Sequence, residues 1–563
     1  MSKKPLLSEM TLREKIGQTA LGRPSCKGYL DLEHYPYGGL WSLGNLDQNV
    51  MNMADRSTGK QVTTLKQWGE FIAEINKNTK YPILQAMDCT AGIRGCFSET
   101  EHIIDCCALG ATASEELSYE AGMLRARLIR SVGSRWIWCP EIDRAARRDA
   151  LMLGRQYSDD PELVLKMSIA EMKGTHAAGV ASTVKHFPGM DRIEYRDPHV
   201  SENMIFLSYE KWKKEQGYMF QRMFDEGMDT VMIAHRAFPA YDPTRYNDRY
   251  LPASVSHRIV TDLLKGEMGF KGVAITDGIE MRSLVTMFDG DMNRVYVEAI
   301  KAGNDMVLGV RDNYFDAIEQ AVLSGEIPES RIDDACQRVL DLKEKYGLFD
   351  DDYTPINEDV EVINADLRAF NEKVAKKALS LVCNKRGLLP LKADNIKHVT
   401  IIYSGHDETG SGGVYDSLET MKQAFEKRGA TVLLRRALED RLGDTSEIDE
   451  LAANTDLLVY AGYLMRYAPE GANSFFDKEV MTFHYALCAG AEKSVGIGLG
   501  SPYMYYDFYS AFPTFINAYN PYPETQEAVV AAMYGEIPFE GGEPFGLIPE
   551  EVVNAMAEHG ATL

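Results

Sequence analysis

The sequence predicts an α/β fold in which a (β/α)8 TIM-like barrel is followed by a smaller α/β sandwich domain. In the first 350 residues, short apolar or β-branched runs alternate with helical stretches, as expected for a parallel sheet. Five successive runs end in polar side chains, and a (β/α)8 barrel builds its active site at such strand ends. A chain of 563 residues also exceeds what one core usually organises, so we expect two domains.

Seven runs supply the predicted barrel strands. GGLWSL near residue 40 comes first and NDMVLG near residue 305 comes last. The five runs between them end in polar residues: YPILQAMD at Asp88, RWIWCPEID at Glu141 and Asp143, ASTVKH at Lys185 and His186, TVMIAH at His235, and GVAITD at Asp277. A doubly wound open sheet would also place polar groups at strand ends, but seven runs come close to the eight strands of a barrel, which we prefer.

The domain boundary is predicted at an acidic stretch. Residues 1–350 form the expected catalytic barrel, residues 351–372 an acidic and poorly periodic linker, and residues 373–563 the sandwich domain. After the linker, ALSLVCNKRGLLPL, IKHVTIIYSG, TDLLVYAGYL and EKSVGIGLGSP are again apolar runs between helical segments. No dinucleotide fingerprint or phosphate-binding loop of the required spacing opens a helix there.

Charge and cysteine content narrow the classes of partner. A formal net charge of −24 disfavours binding to nucleic acid or to anionic membranes, because phosphates would be repelled. No apolar run approaches the length that spans a bilayer, and no signal segment follows the initial lysines. Nine scattered cysteines are typical of buried, reduced thiols. We therefore expect a cytoplasmic protein whose partner is small or neutral, and the oligomeric state stays open.

Several motifs together resemble the family 3 glycoside hydrolases, most closely the two-domain β-N-acetylglucosaminidase (β-hexosaminidase) branch. They are, in chain order, GRQYSDDPELV, KHFPG, DEGMDTVMIAHRAFPAYDPT, LPASVSHRIVTDLLKGEMGFKGVAITDGIEM and LLPL. Their order and spacing extend over nearly the whole chain. The resemblance implies a barrel that holds the sugar, a sandwich domain beside it, and a reaction that retains the anomeric configuration.

The resemblance also assigns roles to single residues. Retention requires a nucleophile that forms a glycosyl-enzyme intermediate, and Asp277 matches the nucleophile position of the family. The side chains that match sugar contacts are Asp88, Arg94, Arg155, Lys185, His186 and His235. Several fixed polar groups with paired charges are also what orienting a polyol requires.

The loop after KHFPG supplies the predicted acid/base. The resemblance places an Asp-x-His dyad there, which in this sequence is Asp197 and His199. An aspartate can hold an imidazole in one tautomer, and histidine donates and accepts protons near neutral pH. In β-glucosidase-like branches of the family, the proton donor is instead a glutamate of the second domain.

The expected activity is hydrolysis of terminal N-acetylglucosamine from small glycans by a retaining exo-β-glycosidase. The alternatives are a β-glucosidase, a phosphorolytic variant, and a sugar-binding protein without catalysis. No metal or organic cofactor is expected, because nucleophile, acid and sugar contacts are all side chains and no cluster has metal-ligand spacing.

Overall fold

The structure is a computed structural model of the chain. It describes residues 4–42, 54–55, 60–61, 64–88, 99–144, 153–194, 196, 198–350, 359–405, 418–437, 450–463, 490–548 and 550–559. Among these residues, no helix combines the length and the apolar character needed to cross a membrane.

Eight parallel strands close into a barrel, as the sequence predicts. They are β1 (Ala20–Gly22), β2 (Gly39–Ser42), β3 (Leu84–Met87), β4 (Trp136–Ile137), β5 (Thr183–Phe187), β6 (Thr230–Ile233), β7 (Val273–Thr276) and β8 (Val307–Val310). Neighbours pair along the sequence and β8 pairs with β1, while two isolated bridges connect the β4 and β5 segments and one connects β7 to β8. The closed ring excludes the open-sheet alternative.

Helices surround the barrel, and one helix crosses between the two domains. The helices up to that point are α1 (Leu12–Gln18), α2 (Leu65–Asn78), α3 (Cys106–Thr112), α4 (Glu115–Ser131), α5 (Pro161–Ala177), α6 (Tyr209–Lys214), α7 (Gln216–Asp225), a π-helix (Arg258–Glu267), α8 (Arg282–Met287), α9 (Met292–Ala302), α10 (Asn313–Leu323), α11 (Glu329–Lys345) and α12 (Val360–Ala378). Short strand pairs outside the barrel are Ala54–Asp55 with Lys60–Gln61, Asn203–Met204 with Arg236–Ala237, and Arg245–Tyr246 with Arg249–Tyr250.

The linker predicted over residues 351–372 is wrong in its second half. Residues 351–358 lie outside the described residues, but α12 begins at Val360 and packs against α3 and α4. Its buried face is an apolar row with helical spacing, Ile363, Leu367, Phe370 and Val374, which the acidic composition of the stretch obscured, and two asparagines lie beside that row. The Asn364 amide donates to the carbonyl of Glu99, and the Asn371 amide donates to the carbonyl of His102. The predicted boundary at residue 372 therefore falls inside a helix.

The second domain is built on a six-stranded sheet with the order β9-β14-β13-β12-β10-β11. These strands are β9 (Ser380–Asn384), β10 (His398–Gly405), β11 (Thr431–Arg436), β12 (Leu457–Tyr463), β13 (Ser494–Gly498) and β14 (Thr514–Asn517). All pairs are parallel except β9 with β14. The helices described in this domain include α13 (Glu419–Glu426), a π-helix (Tyr505–Tyr509), α14 (Pro523–Met533) and α15 (Glu550–His559), and α14 packs against both α12 and α13.

One extended segment returns from the second domain to the barrel. The backbone N–H of Gly541 donates to the carbonyl of Leu379, and that of Gly542 donates to the carbonyl of Ala111 in α3. A Cβ on Gly541 would lie 2.1 Å from the carbonyl oxygen of Ala378, so only glycine fits this approach. The two domains are thus joined at the end of the second domain as well as by α12.

A buried lysine lies at the amino-terminal end of the barrel. Lys343 of α11 has no exposed surface, and its amine donates to the side-chain oxygen of Gln18 at 2.6 Å and to the carbonyl of Pro82 at 2.8 Å. Gln18 precedes β1 and Pro82 precedes β3. Burial lowers the pKa of Lys343 to about 7, so the amine is largely neutral just above neutral pH.

Candidate active site

Polar side chains converge at the carboxyl-terminal mouth of the barrel. They come from the ends of five neighbouring strands: Asp88 follows β3, Glu141 and Asp143 follow β4, Lys185 and His186 lie on β5, His235 follows β6, and Asp277 follows β7. Because the strands are parallel and the ring is closed, these side chains share one opening. The hydrophobic interior below them is packed with Leu84, Trp136, Met232, Ile275 and Leu308.

Two ion pairs hold the predicted sugar contacts. The Lys185 amine lies 3.1 Å from a carboxylate oxygen of Asp88, which is itself partly exposed. The Arg155 guanidinium lies 2.6 Å from the buried carboxylate of Glu141. Burial alone would lower the pKa of Arg155. Nearby carboxylates, including those of Asp88 and Asp277, outweigh burial and raise the pKa. The structure therefore brings Asp88, Arg155 and Lys185 together beside Asp277.

Asp143, in the loop after β4, binds a side chain on β5 and another in the segment after β6. One of its carboxylate oxygens lies 2.9 Å from Nδ1 of His186 and 3.3 Å from the guanidinium of Arg236. Burial alone would raise the pKa of Asp143, but Arg236 and His186 outweigh it and hold the pKa below its usual range. Burial lowers the pKa of His186 to about 4. The imidazole is thus neutral at neutral pH, donates from Nδ1 to Asp143, and leaves Nε2 as an acceptor.

Asp277 lies partly exposed at the mouth among three histidines. The backbone N–H of Gly278 donates to its carboxylate at 2.7 Å. Burial alone would raise the pKa of Asp277, but the interactions with His186, His235, His199 and that N–H outweigh it and lower the pKa. A carboxylate held ionised at the open end of a barrel strand is the group that a nucleophile requires.

His235 uses both ring nitrogens within the protein. Nδ1 lies 2.7 Å from the hydroxyl of Ser254, and Nε2 lies 2.8 Å from the carbonyl oxygen of Gly278. Burial lowers the pKa of His235, so a neutral ring donates from Nε2 to Gly278 and accepts at Nδ1. This arrangement differs from the predicted sugar contact, because His235 fixes the backbone next to Asp277 instead of offering a ring nitrogen to a ligand.

The loop with the predicted acid/base reaches the nucleophile side of the mouth. The carbonyl of His199 accepts a hydrogen bond at 3.1 Å from the backbone N–H of Arg282, five residues after Asp277. His199 is partly exposed and lies near enough to Asp277 to lower the pKa of the Asp277 carboxyl group. Its predicted partner Asp197 and the predicted sugar contact Arg94 lie outside the described residues.

The site contains residues that sequence reasoning assigned no role. Asp143 was visible only as a polar strand end, and Arg236 only as the neighbour of His235. At the rim, the Arg23 guanidinium forms an ion pair with Glu280 and lies 4.6 Å from the centroid of the Trp41 ring. The sequence signal for Glu280 is its place three residues after Asp277, whereas Arg23 follows a strand that was too short to predict.

One group of acidic and histidine side chains in the described part of the chain has the spacing of a metal site. Ligand atoms of Glu141, Asp143 and His186 lie within 4.8 Å of one another. Arg155 and Arg236 already neutralise the two carboxylates. A divalent cation would have to enter beside two guanidinium groups, so these residues fit an ion-paired polar network better than a metal site.

Comparisons with known proteins identify the family of the barrel domain. Residues 11–342 match the glycosyl hydrolase family 3 N-terminal domain. A β-N-acetylglucosaminidase/β-glucosidase of Cellulomonas fimi is 26% identical over 96% of this chain and 94% of its own length. A β-hexosaminidase of Stenotrophomonas maltophilia is 31% identical over 40% of this chain and 65% of its own length.

Solved structures share the two-domain architecture. A β-glucoside phosphorylase superposes with a TM-score of 0.82 at 23% identity, over 96% of this chain and 95% of its own. A family 3 β-N-acetylglucosaminidase from Paenibacillus sp. superposes with a TM-score of 0.79 at 23% identity, over 96% of this chain and 99% of its own. The match to the family model covers more than half of the chain and spans every barrel strand and all the site residues above. The chain belongs to glycoside hydrolase family 3, and it is a β-glycosidase of that family.

Proposed function

We propose that the protein is a retaining exo-β-glycosidase that removes terminal N-acetylglucosamine from small glycans. The observation that carries the proposal is Asp277, a strand-end carboxylate with a lowered pKa, beside a loop that brings His199 to the same side of the barrel. The names of the C. fimi and S. maltophilia relatives support N-acetylglucosamine as the sugar.

In the proposed first step, the Asp277 carboxylate attacks the anomeric carbon while His199 protonates the leaving oxygen. In the second step, His199 takes a proton from water, and that water releases the sugar from Asp277. Two displacements at one carbon retain its configuration. Asp197 is proposed to orient the imidazole of His199 and to stabilise its charged form.

The proposed contacts to the terminal sugar are the paired side chains at the mouth. Asp88 accepts from sugar hydroxyls, Lys185 and Arg155 donate to them, and His186 presents Nε2 as an acceptor. Since each charge already has a protein partner, the side chains are held in place before the sugar binds, which reduces the ordering cost of binding. Arg94 remains a proposed contact on sequence grounds alone.

A β-glucosidase is the second candidate, because the C. fimi relative is named for both activities. Phosphate in place of water is a further variant of the second step, since a neutral histidine repels an anion less than a carboxylate does. A catalytically inactive sugar-binding protein would not need the ionised carboxylate at Asp277. In keeping with the reduced thiols expected from its sequence, we propose a cytoplasmic location.

A panel of 4-nitrophenyl β-glycosides, assayed with and without phosphate, tests the proposal. We expect the N-acetylglucosaminide to be cleaved with a kcat/KM at least tenfold above that of the glucoside. Asp277→Ala serves as the background control. Equal turnover of the two sugars would favour the β-glucosidase. A sugar phosphate product would favour phosphorolysis. If no substrate is turned over, the sugar-binding protein without catalysis is the remaining alternative.

A further inference from the structure

Asp159 lies where three barrel segments and the second domain meet. It follows Arg155 by four residues and directly precedes the N-cap of α5, Asp160. Its side chain is mostly buried, with 19% of its surface exposed. None of the roles proposed above for the catalytic reaction involves this carboxylate.

The second domain contacts Asp159 through the extended segment near its end. The backbone N–H of Gly546 donates to the Asp159 carboxylate at 3.0 Å. In return, the backbone N–H of Asp159 donates to the carbonyl of Pro544 at 3.4 Å, and the hydroxyl of Ser158 donates to the same carbonyl. A Cβ on Gly546 would lie only 3.2 Å from the carboxylate oxygen of Asp159, so the approach is close.

On the barrel side, Asp159 holds two arginines from neighbouring loops. The guanidinium of Arg192, in the loop that carries His199, lies 3.5 Å from the carboxylate oxygen that accepts from Gly546. The side chain of Arg144, which follows Asp143, donates to the carbonyl of Asp159 at 3.0 Å. Burial lowers the pKa of Arg144, and the nearby charge of Arg192 lowers it further. The two arginines therefore repel each other, and the carboxylates of Glu215 and Asp159 offset that repulsion at Arg144.

We propose that Asp159 is a positioning residue through which the second-domain segment Pro544–Gly546 holds the loop of His199 in place. The inference rests on the proposed role of His199 as acid/base. The ion pair from Asp159 to Arg192 anchors that loop seven residues before His199, and the hydrogen bonds with Gly546 and Pro544 fix Asp159 against the second domain. The second domain thus acts on proton transfer without supplying a group that touches the substrate.

The expected kinetic signature is a loss in kcat with little change in KM. In Asp159→Asn, the amide oxygen can still accept from Gly546, but the attraction to Arg192 is lost. Because a misplaced acid/base slows proton transfer while Asp88 and Lys185 remain in place, we expect kcat to fall about tenfold for substrates with poor leaving groups. KM should stay within about twofold, and activated aryl substrates should be affected less.

Asp160→Asn is the matched control, since it removes the same charge one residue away. The Asp160 carboxylate accepts from the backbone N–H of Glu162 at 2.9 Å, and asparagine caps a helix equally well. Asp160→Asn should therefore keep the kcat of the wild type. If both variants lose kcat to the same extent, general electrostatics explains the effect and the positioning role is wrong.

Hydrogen exchange tests the inference without any turnover. Peptides covering residues 189–199 of the substrate-free protein should exchange about tenfold faster in Asp159→Asn and in Arg192→Gln, and the double variant should add little. Asp160→Asn should exchange like the wild type. Unchanged exchange in folded Asp159→Asn would overturn the positioning role whatever its kinetics, whereas an inactive wild type with the expected exchange pattern would overturn only the proposed function.

Discussion

Lys343 allows a quantitative test of the energetics at the closed end of the barrel. Its pKa falls from an ordinary value of 10.5 to about 7 in the folded chain. Between these values, the unfolded chain keeps a proton that the folded chain has lost, so proton binding favours unfolding and stability rises with pH. Integrating the difference in bound protons over pH shows that the pKa shift lowers the free energy of unfolding by about 4 kcal/mol at pH 7 and by about 2 kcal/mol at pH 9.

Lys343→Met removes the titrating group and keeps most of its volume. In the wild type, the two hydrogens of the neutral amine are donated to the acceptors on Gln18 and Pro82. The variant leaves both acceptors without this donor, but that loss is the same at every pH. We therefore expect the free energy of unfolding of the wild type, relative to Lys343→Met, to increase by about 2 kcal/mol from pH 7 to pH 9.

Urea denaturation followed by tryptophan fluorescence measures this change for the barrel alone, because all five tryptophans precede residue 213. Lys66→Met is the control, since the Lys66 side chain is 84% exposed. The pH dependence of this control should match that of the wild type. If Lys343→Met differs from the wild type by the same free energy at both pH values, then Lys343 is charged inside the fold and the reasoning fails.

The remaining predictions concern the site. Asp277→Asn should lower kcat by at least about 10⁴-fold, and mass spectrometry of the wild type treated with a 2-fluoro glycosyl inhibitor should find the added mass on Asp277 and on no other residue. His199→Ala should lower kcat for substrates with poor leaving groups by about 10²- to 10⁴-fold and for activated aryl substrates less. Azide should restore activity to the variant. If the dependence on the leaving group is unchanged, the general acid is instead a glutamate of the second domain. Asp143→Asn should cost about 3 kcal/mol of stability, because Arg236 is left buried without its counter-charge, and should raise KM; a variant as stable as the wild type in urea would contradict this. Dialysis against EDTA should leave activity unchanged, as measured by kcat before and after.

The sequence revealed the barrel because most of its strands are apolar runs with a polar end. Seven of the eight strands were predicted from apolar runs, five of which have a polar end, and only β1 was missed, since three residues carry no measurable alternation. The linker prediction failed for a different reason. Half of α12 faces solvent and is rich in acidic residues, which outweighed the apolar row Ile363, Leu367, Phe370 and Val374 on its buried face. Asn364 and Asn371 on the same face bind backbone groups in the segment before α3.

For the site, sequence patterns identified which side chains reach the mouth but not how they pair. Asp88 and Lys185 are 97 positions apart, and Asp143 and Arg236 are 93 apart, so these ion pairs exist only once the ring of strands has closed. The role of His235 was missed for the same reason. Its partner Ser254 lies in a short 3₁₀ helix, Ala253–Val255, between β6 and β7, and no local pattern marks the contact.

The return of the chain from the second domain to Asp159 has a consequence for biosynthesis. A ribosome makes residues from the amino terminus onward, so the barrel is complete some 200 residues before Pro544 and Gly546 emerge. In that interval the side chains proposed to bind the sugar, all of which precede residue 278, can already assemble. The proposed anchor of the His199 loop forms only after residues 544–546 have been made. A nascent enzyme would therefore recognise its sugar before it could turn it over efficiently.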